Sequence, residues 1–119
     1  MTARECLGQA TAAGFGYQRV INAFIDDFRR APEHEREHLI AEPIVCCGRI
    51  EGLIAAVVSA LCRETGTATP EWVADVGSSE PFFAFPGDSY ELRVRLMFES
   101  PAPFRIRNVF VPENYLERA

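Results

Sequence analysis

The chain has 119 residues, 48% apolar and 24% charged, which suits one globular domain with a single core and leaves too little length for two. All 12 basic residues are arginine and 17 acids bring the net charge to −5, so the basic surplus of a general nucleic-acid binder is missing. No run reaches the roughly 18 apolar residues that a membrane span requires, and the opening MTARECLGQATAAG lacks the apolar stretch of a secretory signal, which points to the cytoplasm.

Residues 1–15 read as a flexible N-terminus. Gly14 and Gly16 have the look of a phosphate-binding glycine loop, but no strand precedes them and a third glycine is missing, so they read as a flexible lead into a helix. That helix is GYQRVINAFIDDFRRA, where Tyr17, Val20, Ile21, Phe24, Ile25 and Phe28 fall on one face and Asp26, Asp27, Arg29 and Arg30 mostly off it. Pro32 interrupts it, and a second short helix is expected from Pro32 to Ala41, stopped by Glu42-Pro43. Its acids Glu33, Glu35 and Glu37 suit the positive end of a helix.

This second helix carries His34-Glu35-Arg36-Glu37-His38, an H-E-x-x-H pattern. Two histidines four apart share a side of a helix and can hold one zinc ion, with Glu35 placed as base for its water. The chain has 2 histidines, both in this motif, so a third ligand would have to be Glu42, Glu51 or Glu64. The short, charged helix leaves His34 in its first turn. No metal or cofactor is therefore expected, and a small zinc-dependent hydrolase stands as the alternative reading.

The most apolar helix is CCGRIEGLIAAVVSALCRETG, with Ile50, Leu53, Ile54, Val57, Val58, Leu61 and Cys62 at spacings of three and four and Gly66 as its stop; it should be the centre of the core. Cys46 and Cys47 at its start could be redox-active, but nothing beside them would lower a thiol pKa, so they read as small packing residues. The four cysteines form no C-x-x-C pair and are expected to be reduced thiols.

Beyond Thr67 the pieces shorten. TPEWVADV reads as a turn of helix opened by Thr69-Pro70, and GSSEPFFAFPGDS as a loop pinned by phenylalanines, with Trp72 as a core pin rather than a base-stacking platform. In DSYELRVRLMFESP, Tyr90, Leu92, Val94, Leu96 and Phe98 alternate as in a strand, whereas Tyr90, Val94, Met97 and Phe98 fit a helical face. Asp88 and Glu91 at capping-box spacing decide for a helix. A short extended NVFVP and a turn ENYLERA follow. The fold expected is mainly α, a single-domain bundle of about four to six helices with a short extended C-terminal segment.

The first 89 residues hold 7 arginines against 13 acids, and the last 30 hold 5 against 4. In that last part Arg105 and Arg107 alternate with Phe104 and Ile106, which in an extended segment would set two guanidinium groups opposite two apolar groups. Asn108 suits a turn, and Phe110 could anchor a contact. Phe104, Arg105, Arg107, Asn108 and Phe110 are thus candidate partner contacts; the alternative is a closing clasp of the two arginines with Glu99 and Glu113.

Residues 70–119 resemble a family of small uncharacterised bacterial proteins whose C-terminal signature is E-S-P-x-x-F-R-x-R-N-x-F-V, matched by Glu99, Ser100, Pro101, Phe104, Arg105, Arg107, Asn108, Phe110 and Val111. In that family the module stands alone or behind a helix-turn-helix domain, and its genes often adjoin those of nucleotidyltransferase-like proteins in toxin and antitoxin-like pairs. The resemblance implies a non-enzymatic binding or regulatory protein, the accessory or antitoxin-like half of a two-gene system. Its protein partner would be a nucleotidyltransferase-like protein encoded nearby, with homo-oligomers an option. The N-terminal half of the present chain has no helix-turn-helix with a basic recognition helix, so direct nucleic-acid binding is not expected.

Overall fold

The computed structural model describes residues 1–84 and 89–117. In chain order its helices are α1 (Ala3–Ala13), α2 (Tyr17–Arg30), α3 (Glu33–Leu39), α4 (Arg49–Thr65), α5 (Tyr90–Glu99) and α6 (Ala102–Arg105), with 3-10 turns at Gly14–Gly16 and Glu71–Asp75. Two short strands, β1 (Phe82–Phe83) and β2 (Val109–Phe110), pair in parallel, Phe82 opposite Val109 and Phe83 opposite Phe110. The mainly α domain expected from the sequence is what forms.

Helix α4 organises the rest. Its residues Gly52 to Val58, then Leu61 and Cys62, are buried, and it packs against α1, α2, α6, β2 and the 71–75 turn. Burying each of its leucine, isoleucine and valine side chains stabilises the fold by roughly 1.5–3 kcal/mol, so this helix supplies much of the driving force. It ends where the sequence says, at Gly66, whose φ of +74° is the left-handed cap that glycine takes without strain. Gly52 has a separate reason: a Cβ there would lie 2.6 Å from the Ser78 backbone nitrogen, because the 77–79 segment runs directly over α4. That segment is held by Ser78 N donating to Arg107 O and Ser79 N donating to Cys47 O, both at 2.9 Å.

Helix α2 buries Ile21, Phe24, Ile25 and Phe28, the centre of its apolar stripe, with Tyr17 and Val20 half-buried at the margin. Its C-terminal carbonyls need donors, and α3 provides them. Arg36 donates from Nε to Phe28 O at 3.0 Å and from Nη2 to Arg29 O at 2.8 Å. Arg29 in turn binds Glu64 of α4 through both Nε (2.9 Å) and Nη2 (2.7 Å).

Three sequence expectations are corrected. Residues 1–15 are not a flexible lead-in: Thr2 and Glu5 form a capping box, and α1 buries Ala3, Cys6 and Ala10 against the core. Cys46 and Cys47 do not pack, because α4 begins only at Arg49. Both are exposed, their sulfurs 3.6 Å apart, and Cys46 adopts φ +106°. The 104–107 segment is not extended. Pro101 opens a helical turn over Ala102–Arg105, after which Asn108, at φ +63°, swings the chain into β2.

The phenylalanine loop is pinned as expected and also contributes β1, which the sequence does not announce. Phe82 meets Tyr17 at a ring-centre distance of 5.7 Å, and Phe83 stacks on Phe110 at 5.0 Å. Phe85 and Asp88 lie outside the described residues; the cap of α5 that is visible is Ser89, whose hydroxyl accepts from Leu92 N.

Candidate functional site

The H-E-x-x-H residues lie on α3, a helix of 7 residues, and His34, Glu35 and His38 are all exposed. Glu42 pairs with Arg4 at 3.2 Å and Glu64 with Arg29, so two of the three possible third ligands are engaged elsewhere. Among the described residues no group of three or more His, Cys, Asp or Glu side chains could hold a metal ion. Arg36, inside the motif, faces inward to close α2 and sits over the Phe28 ring.

The five C-terminal candidates separate into inside and outside. Phe104 is fully buried and meets Tyr115 edge-on at 5.5 Å. Arg107 is buried: its Nε and Nη2 donate to Val73 O at 3.3 and 3.0 Å and its Nη1 donates to Pro103 O at 2.8 Å, while burial pulls its pKa downward. Asn108 donates to Ser78 O at 3.3 Å and Phe110 is buried under Phe83. Only Arg105 is exposed, with Ile106 beside it. The clasp with Glu99 and Glu113 does not form either, since Glu99 pairs with Arg95 at 3.1 Å and Arg107 binds backbone carbonyls instead.

What the molecule does present outward is α5. At 100° per residue, Tyr90, Val94, Met97 and Phe98 lie within one arc of the helix, and Leu92, Leu96 and Glu99 lie opposite. The second arc faces the protein, with Leu96 buried; on the first, Val94 is half-buried while Tyr90 (81%), Phe98 (82%) and Met97 (48%) are exposed to water. Large apolar side chains in a row on a surface helix, with Arg93 on one margin and Glu91 and Arg95 on the other, have the composition of an interface core and its rim. Arg93 is held in place over the Phe83 ring at 5.5 Å. The helical spacing of these four residues was readable in the sequence; that the stripe points outward was not.

Among the described residues no helix is long and apolar enough to cross a membrane. No family model, no curated protein and no solved structure matches the chain.

Proposed function

We propose that this chain is a non-enzymatic binding protein acting in the cytoplasm, the accessory or antitoxin-like half of a two-gene bacterial system, and that it docks its partner on the outer face of α5. One observation carries this reading: Tyr90, Met97 and Phe98 form an apolar row that the fold leaves in water. Aromatic, methionine and arginine side chains are enriched at interfaces, and aromatic and arginine residues most often carry the binding energy because they bury large areas. Arg93, Arg95 and Arg105 lie in the last 30 residues, where 5 arginines meet 4 acids, and favour a partner whose apolar groove is bordered by carboxylates. The resemblance of the C-terminal half supports a nucleotidyltransferase-like protein encoded nearby as that partner.

The test is coexpression with the product of the adjoining reading frame and size-exclusion chromatography of the pair. A Tyr90→Ser, Phe98→Ser double variant should keep its melting temperature, since both rings are outside the core, and should lose the complex. A complex that survives the double substitution overturns the α5 surface. If the same variant instead abolishes self-association of the isolated chain, the occupant is a second copy and the two-gene reading fails.

A further inference from the structure

A cavity of ≈ 360 Å³ lies between the end of α1, the Gly14–Gly16 turn, the start of α4 and β1, and α5 contributes nothing to its lining. Its volume is at the lower end of the about 300–1,000 Å³ usual for small-molecule sites. Its walls are mostly hydrocarbon, from Ala10, Tyr17, Ile50 and Phe82, with Phe15 at the rim. One charge enters it, the guanidinium of Arg49. That group sits over the face of Phe82, 5.8 Å from the ring centre, and makes no ion pair among the described residues. The nearest acid in sequence, Glu51, does not line the cavity and folds back toward Gly48.

We propose that this cavity binds a small monocarboxylate with an apolar body, the carboxylate pairing with Arg49 and the body lying against Ile50 and Phe82. A single cation at the edge of a hydrocarbon pocket selects a single negative charge attached to apolar bulk. A cation would be repelled, and a neutral molecule would fill the pocket while leaving the guanidinium without a counter-charge. The contact with the Phe82 face holds the guanidinium at the pocket edge, where its two-pronged side can meet a carboxylate. Tyr17 adds an aromatic wall that packs against Phe82, their ring centres 5.7 Å apart. Phe15, wholly exposed between two glycines, one of them at φ +58°, closes the ring of lining residues and can fold over a bound molecule. This site is independent of the α5 surface and stands or falls separately.

Titration of the isotopically labelled chain with phenylacetate and 3-methylbutanoate, followed by amide NMR shifts, tests it. Both should shift Thr11, Phe15, Ile50 and Phe82 saturably, whereas phenylacetamide and phenethylamine should bind roughly two- to fivefold more weakly, as loss of an ion pair at a solvent-exposed guanidinium requires. Arg49→Gln, a change at an exposed position, should weaken phenylacetate by a similar factor and remove the preference for phenylacetate over phenylacetamide. Equal affinity for the acid and its amide in the unmodified chain, undiminished phenylacetate binding by Arg49→Gln, or no saturable shift at those residues would each overturn the proposal.

Discussion

Arg105 and Arg107 look alike in the sequence and have opposite roles in the fold. Their alternation with Phe104 and Ile106 suggests a strand, but Pro101 starts a helical turn that sends Arg105 outward and Arg107 under the 71–75 turn. Composition alone could not separate them, because the separation depends on carbonyls of Val73 and Pro103 that need a donor and are brought there by distant packing. Arg107→Ser strands both carbonyls in a buried place and should cost about 2–3 kcal/mol in denaturant unfolding. Arg105→Ser should stay within about 0.5 kcal/mol of the unmodified protein. Equal effects would mean that Arg107 does not hold the C-terminal segment. The histidine pair teaches a similar lesson: the i, i+4 geometry was legible, but whether a third ligand converges on it depends on tertiary placement.

At the level of whole elements, legibility followed the size of the buried side chains. Helices α2 and α4 show themselves through Ile, Leu, Val and Phe at spacings of three and four, and the Gly66 stop was visible as well. Leu53→Ala in α4 should cost about 2–5 kcal/mol through the cavity it leaves. Gly52→Ala should also destabilise, for the opposite reason, since the added methyl meets backbone at Ser78. Helix α1 was missed because it buries Ala3, Cys6 and Ala10, which carry little apolar signal; the Thr2 and Glu5 capping box was the available clue. Helix α5 has apolar residues on two opposite arcs, and no sequence rule says which arc meets the core. Removing its cap by Ser89→Ala should cost about 0.5–2 kcal/mol. In amide hydrogen exchange that loss should appear in α5 before α4, because only Leu96 among its residues is fully buried.

Across the whole molecule, pH should limit stability from both sides. The N-terminal ammonium beside Asp27, Arg29 beside Glu64 and the Thr2 amide beside Glu5 hold these carboxyls below their ordinary values of 3.8 and 4.5. Their contribution is complete above those values and is lost as pH falls through the folded ones, so the melting temperature should drop on acidification below about pH 4.5. On the alkaline side, burial raises the Cys6 thiol from 9.0 to about 12 and pushes Tyr17 and Tyr115 upward as well. The unfolded chain then gives up protons first, and stability should decline from pH 9.0 upward. Cys6→Ala should soften that alkaline decline, measured as the slope of melting temperature against pH relative to its own value at neutrality. A flat profile between pH 9 and 11 would show that these groups are not buried as described.

The parallel pairing of β1 with β2 also bears on how the chain is made. Phe82 and Phe83 wait for Val109 and Phe110, Ser78 for the carbonyl of Arg107, and Gln18 for the hydroxyl of Tyr115, which donates to it at 2.6 Å across 97 residues. Synthesis runs from N to C at about 5–20 residues per second, so α1 to α4 emerge seconds before the segment that covers one side of α4. During that interval the nascent helices hold an unsheathed apolar flank, the kind of surface that holding chaperones recognise. A ribosome stalled before residue 107 should therefore display a chain that binds such chaperones, and one released past residue 116 should not.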